Sequence, residues 1–278
     1  MDGTLHLVTA PAFEPVSRAE AKLHLRIDTT ADDALIDGLI LAARQHAETV
    51  TQRALVAQTW DDKRPRFPWN TYWGNIWLPK PPISSVTSVT YLDSNGTSQT
   101  WDSANYVTDL PAGPWARKGR IYPAYSASYP STRAIPNAVT IRFVAGYGGQ
   151  TTKTISGITR SSSTATLTTS AVHGWTAGQR VTIKGSNQDD YNGTFELLTI
   201  PAPTTATFAV KNDPTTPATG TMTGAVLDVP SGIVSAMKIL IAHWYYEGRQ
   251  PVVVGTSAQN IPMTVDALLW PYKVWTWP

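Results

Sequence analysis

His243 and Glu247 stand four residues apart in the stretch IAHWYYEGRQPVVVG. On a helix that spacing puts an imidazole and a carboxylate on one face, as two metal ligands would stand. A zinc centre needs three or four donors, and no second His pair or His–Glu pair accompanies these two. The ordinary reading is a packed histidine and a helix-end ion pair or hydrogen bond. Three carboxylate doublets, Asp32–Asp33, Asp61–Asp62 and Asp189–Asp190, have the residue type for general acid and base work. Sequence neighbours point in different directions, though, and each doublet has a local explanation as a cap or a turn. Gly146, Gly148 and Gly149 in AGYGG do not open a helix in the G-x-G-x-x-G frame that cradles phosphate, and read as a tight turn at a strand end. The short basic clusters KRPR, from Lys63, and ARKGR, up to Arg120, read as solvated loops before contacts to a nucleic-acid backbone. No catalytic residue, metal ligand or cofactor is expected.

The chemistry that remains is that of surfaces. LLWPYKVWTWP places Trp270, Tyr272, Trp275 and Trp277 near the end of the chain, and Pro271 discourages helix beyond it. An extended aromatic tail is the expectation. Leaving a tryptophan in water forgoes about 1.5 to 3 kcal/mol relative to burial. Such a tail therefore calls for docking, on its own domain or on another chain.

The elements that must carry these residues are legible in the patterning. Ser17 followed by Glu20 is a capping box, starting a short helix from about Arg18 to Ile27. ADDALIDGLILAARQHAETVTQRAL then sets Leu35, Ile36, Leu39, Ile40, Ala43, Ala47 and Val50 on one face of a second helix, with Asp32 and Asp33 at its positive end. From Gln58 the texture becomes that of strands, with an Asn95–Gly96 hairpin signal, ending in AVTIRFVAGYG. Between about Gln150 and Leu227 the chain turns rich in Thr, Ser and Gly, with short alternating runs punctuated by HGWTAG and YNG; this describes a small antiparallel β unit of four or more strands. Helix returns after Pro230, with Ile233, Ala236, Met237, Leu240, Ile241, Trp244 and Tyr245 as its stripe. The resulting expectation is an α+β fold whose boundaries are 1–149, 150–227 for an inserted all-β domain, and 228–278.

Composition narrows the partners. The 22 basic and 20 acidic residues leave a net charge of +2, no electrostatic footprint for dedicated nucleic-acid binding. Absence of cysteine excludes disulfides and thiolate metal sites. The first residues lack a basic start and a signal-length apolar core, and no later run approaches a membrane span, so a soluble intracellular product without membrane contact is expected. With only 15% charged residues against 11 Trp and 11 Tyr, much of the exterior must be apolar or neutral, as surfaces that meet other proteins often are.

VSRAEAKLHLRIDTTADDALIDGLILAARQHAETVTQRAL, QTWD, LPKPPISSVTSVTYLDSNG, AVTIRFVAGYG and VPSGIVSAMKILIAHWYYEGRQPVVVG with IPMTVDALLWPYK together resemble the head-tail connector proteins of long-tailed bacteriophages, also called adaptor or head-completion proteins. The 150–227 stretch departs from that pattern and is similar to a small β-barrel module inserted in phage tail and baseplate proteins. The resemblance implies a small helical connector domain with a β-element, interrupted by that barrel. It implies a homo-oligomeric ring of about twelve copies, a dodecamer, at the head-tail interface of the virion, with each copy turned about 30° from the last. The ring would dock on the portal protein, extend the channel through which DNA passes without sequence-specific binding, and mount the next connector or tail completion protein. Trp270, Tyr272, Trp275 and Trp277 are then the candidate portal-binding residues. Val252, Val253, Val254 and Ile261 are candidates for subunit contact by strand addition, and Leu35, Leu39, Ile40, Leu240 and Trp244 for core helix packing. The alternative from another class is a carbohydrate-binding or adhesion protein of a phage tail, since sugars stack on exposed Trp and Tyr.

Overall fold

The alternating texture that follows Gln58 folds as antiparallel sheet, and the segments of helical period before and after it fold as helices. The computed structural model describes residues 3–68, 74–148, 152–247 and 263–275. They divide into two compact units: Met1–Ala12, Thr51–Tyr147 and Tyr272–Pro278 in the first, and Phe13–Val50 with Gly148–Pro271 in the second. The fold class is α+β, as the patterning implied, and the β unit is a closed six-stranded barrel, as the resemblance implied.

The first unit holds β1 (Thr4–Thr9), β2 (Gln58–Arg64), β3 (Ile76–Leu78), β4 (Ile83–Leu92), β5 (Ser98–Thr100), β6 (Tyr106–Asp109), β7 (Gly119–Pro123) and β8 (Val139–Ala145). They form a five-stranded sheet in the order β1-β2-β8-β4-β5 and a three-stranded sheet in the order β3-β7-β6. Strand period two buries Val139, Ile141, Phe143 and Ala145 of β8 in one cluster with Ile76, Leu78 and Ile121 of the smaller sheet. An aromatic group closes that core: Phe67 stacks on Tyr129 at 5.1 Å, and Trp101 lies 5.5 Å from Phe67. The β4–β5 turn is the Asn95–Gly96 hairpin, where the Asp93 carboxylate accepts from the backbone N–H groups of Asn95 and Thr97, at 2.9 and 3.0 Å. Gly146 has φ +130°, and a Cβ there would lie 2.3 Å from the Val56 carbonyl, so this glycine permits a close backbone approach at the strand end.

The second unit holds α1 (Arg18–Leu25), α2 (Asp33–Thr51), the strands β9 (Lys153–Ser161), β10 (Thr164–Thr169), β11 (Arg180–Ser186), β12 (Gly193–Ala202), β13 (Thr205–Ala209) and β14 (Gly220–Val226), then α3 (Ser231–Tyr246) and α4 (Met263–Leu269). The strands close as β10-β13-β12-β11-β14-β9, and β9 pairs again with β10. Ile158, Leu167, Val181, Tyr191 and Phe208 are wholly buried inside. The capping box forms as read: the Ser17 hydroxyl accepts from Glu20 N–H at 3.2 Å, and Ser17 N–H donates to the Glu20 carboxylate at 3.1 Å. Glu20 has a further duty, accepting from Arg180 of β11 at 2.9 Å and Lys238 of α3 at 3.2 Å, so a single carboxylate ties α1 to the barrel and to the last long helix.

Two expectations need correction. The buried stripe of α2 runs through Ile36, Ile40, Ala43, Arg44, Ala47 and Glu48 and is turned away from Leu35, which is 37% exposed, and Leu39, which is half-buried. Arg44 donates to Glu14 at 2.8 Å and to Glu48 at 3.0 Å, and these pairings offset the cost of burying its charge, so the inward edge of the helix accommodates Arg44 and Glu48. Burial pushes the Glu14 carboxyl up in spite of the Arg44 charge beside it. The second correction is at the end of the chain. An extended tail is expected from Leu268, and residues 273–275 carry no helix, but helix Met263–Leu269 runs into it and Trp270–Tyr272 is a 3-10 turn with Pro271 at its centre. Proline is tolerated there because the early residues of a helical turn have no internal use for their N–H groups.

Candidate partner-binding surface

No group of three or more His, Cys, Asp or Glu among the described residues is placed to hold a metal. Each carboxylate doublet is engaged by neighbouring side chains, and Asp61–Asp62 lie within strand β2, not in the cap or turn expected of them. Asp33 accepts from Lys22 at 2.7 Å, Asp61 from Arg142 at 2.8 and 2.9 Å, and Asp190 from Asn212 at 2.8 Å. Asp32 takes the Tyr245 hydroxyl, and Asp62 takes Arg64 at 2.8 Å. His243 and Glu247 meet through the helix backbone, where Glu247 N–H donates to His243 C=O at 2.8 Å. In the barrel, His173 Nδ1 accepts from Trp175 N–H at 2.9 Å and its ring stacks on Trp175 at 4.7 Å, while Gly174 and Gly178 adopt positive φ to make the turn. Of the two basic clusters, Arg64 also donates to the Trp77 carbonyl at 2.7 Å, and Arg120 pairs with Asp109 at 2.7 Å while lying 5.6 Å over the Trp77 ring.

The candidate surface is therefore the aromatic C-terminal segment. Residues that order it come from far away in sequence. α2 ends at Thr51, Gln52 takes the left-handed conformation with φ +57°, and the turn sends Arg53 inward, where it is 3% exposed. Its guanidinium donates to the Ala116 carbonyl at 2.8 Å and to the Tyr272 carbonyl. Tyr147 bonds to the same guanidinium and donates its own hydroxyl to the Pro114 carbonyl at 2.8 Å. Burial lowers the Arg53 proton affinity and raises that of Tyr147. A second tie follows at once: Val274 N–H donates to the Thr51 carbonyl at 2.9 Å. Held by these bonds, the segment keeps Trp275 56% exposed, with the Lys273 ammonium 5.0 Å from its ring.

Of the portal-binding candidates, Trp270 is 59% exposed, Tyr272 is half-buried, Trp275 is exposed, and Trp277 lies outside the described residues. Val252, Val253, Val254 and Ile261 also lie outside them. Among the packing candidates, Ile40 and Leu240 are buried, and Trp244 is half-buried with its ring edge-on to His46 at 6.0 Å. The residues that sequence reasoning missed are Arg53 and the carbonyls it gathers. No local signal marks them, because Arg53 sits in an unremarkable TQRAL and its partners are the backbone of residues 116 and 272.

Residues 19–109, from α1 to the end of β6, match the family model of the phage gp6-like head-tail connector protein. No curated protein matches the chain. Among solved structures it is similar to a chain from the neck of an empty gene transfer agent particle computed with C6 symmetry, with a TM-score of 0.57 and 18% identity over 99% of this chain and 97% of that one. Chains from the virion of the native gene transfer agent particle (18% identity) and from its neck computed with C12 symmetry (16% identity) are similar to it with TM-scores of 0.55 and the same coverage. At such identities the likeness is one of fold, and it runs nearly from end to end. The resemblance carried by the capping box, the α2 pattern and the hairpin stretch is borne out: residues 19–109 have the pattern of phage gp6-like head-tail connectors, set in a fold shared with a chain of the gene transfer agent neck.

Proposed function

We propose that this chain is a structural neck protein, a head-tail connector that closes into a ring of about twelve copies, docks on the portal, extends the DNA channel and mounts the next connector or the tail. The observation that carries the reading is the fold likeness over 99% of this chain to a chain of a particle neck. The connector match over residues 19–109 supports it from the sequence side. In this reading the protein works at the head-tail interface of the virion, with no catalytic step, cofactor or membrane contact. Ring closure uses one heterologous interface repeated around the axis, to which Val252, Val253, Val254 and Ile261 contribute. Strands β9–β14 form one barrel between β8 and α3, which supports treating 150–227 as an insert between connector segments 1–149 and 228–278.

Portal attachment is assigned to Trp270, Tyr272, Trp275 and Trp277. Exposed rings at Trp270 and Trp275 support this, because burying such rings in a partner supplies the large, rigid contact area typical of interface anchors. Replacing Trp270, Trp275 and Trp277 together by serine keeps the backbone bonds at Tyr272 and Val274. The circular dichroism spectrum should then stay as in the parent, while negative-stain images of the protein mixed with its portal lose the capped portals. Undiminished capping would contradict the assignment.

A further inference from the structure

We infer that Arg53 is the positioning residue of the partner-binding tail, holding Tyr272–Trp275 in its docking arrangement before a partner arrives. The inference rests on the reading of that tail as the portal anchor.

A buried arginine is ordinarily matched by a carboxylate, since desolvating the charge is costly. Among the described residues the Arg53 guanidinium meets neutral acceptors only: the carbonyls of Ala116 and Tyr272 and the phenol of Tyr147. Stability alone does not call for this choice, because an apolar side chain of similar volume would fill the site without a buried charge. What arginine adds is geometry. Its rigid fork reaches the strand-connecting backbone at Ala116 and the tail backbone at Tyr272 at once, joining chain segments that are distant in sequence. The bond from Val274 N–H to Thr51, two residues before Arg53, closes the other end of the same short stretch. Between these two ties the backbone is ordered while Trp275 stays largely exposed. A segment fixed in this way forfeits little conformational entropy on docking, whereas a frayed one must be ordered at the partner's expense.

The test uses full-length protein carrying Arg53→Gln, Arg53→Lys or Val274→Pro. The last removes a tail N–H and leaves the buried charge untouched, so it remains informative if Arg53→Gln folds poorly. Hydrogen–deuterium exchange of the C-terminal peptide is read on the free protein, and affinity is read by titration with purified portal. Arg53→Gln and Val274→Pro should each speed exchange of that peptide and weaken portal binding by about tenfold or more, with Arg53→Lys in between. Unchanged exchange overturns the inference. So does faster exchange with unchanged affinity, provided that the triple tryptophan variant has lost binding. If the triple variant binds normally, the portal reading itself fails, and exchange alone then decides whether Arg53 orders the tail.

Discussion

Asp61 faces Arg142 directly across the β2–β8 ladder and accepts both of its fork N–H groups. These hydrogen bonds, aided by the Arg142 charge and opposed by partial burial, hold the Asp61 carboxyl below the usual carboxylate range. A folded-state value below the unfolded one contributes stability above the unfolded value, about 4, and that contribution is lost as pH falls through the folded value. Asp61→Asn should therefore flatten the acid limb of a stability-against-pH curve and cost about 1 kcal/mol or less at neutral pH, since Arg142 is largely exposed. Urea unfolding between neutral pH and pH 3 measures both. Tyr191 gives a contrasting case. Its hydroxyl is buried in the barrel without a hydrogen-bond partner among the described residues, so Tyr191→Phe should leave stability within about 1 kcal/mol of the parent, or raise it. Thermal unfolding reads that directly.

At the scale of elements, Glu20 does three things: it completes the α1 cap, takes Arg180 from β11 and takes Lys238 from α3. Glu20→Ala should cost about 2 to 3 kcal/mol in chemical unfolding, more than the roughly 1 kcal/mol of a lost cap alone. Glu20→Gln, which keeps the cap acceptor, should recover part of it. Gly146→Ala sets a Cβ against the Val56 backbone at a φ that side chains rarely adopt, and should be among the most damaging single changes in the first unit, seen as a fall in soluble yield and melting temperature. These elements differ in how far they could be read from sequence. The cap, the Asn95–Gly96 turn, α3 and the β texture were legible because each depends on neighbours within a few residues. The side of α2 that is buried was not, since it includes Arg44, whose charge is matched by Glu14, thirty residues earlier. Helix α4 was not legible because its seven residues are too few to show a helical period, and Pro271, in the 3-10 turn that follows, points to an extended tail. For the tail, composition told that its tryptophans call for docking, on their own domain or on another chain, but Arg53 and Thr51, which fix its backbone, become visible only when segments distant in sequence are brought together.

For the whole molecule, the proposed ring reading starts from connector-like residues 19–109 and a fold shared over 99% of the chain with a particle-neck chain. In that proposal a near-balanced charge of +2 would suit a channel wall, because a strongly basic lining would hold a passing polyanion. In the proposed ring, mass action would stabilise each added copy on a surface already in place, so closure on the portal is the expected outcome. The most direct measurement is electron microscopy of this protein mixed with its purified portal, followed by symmetry analysis of the complexes. The account predicts a closed collar of about twelve copies seated coaxially on the portal, with the C-terminal tryptophans at the junction. Single copies scattered on the portal's outer wall, or particles of portal left bare at saturating protein, would contradict it.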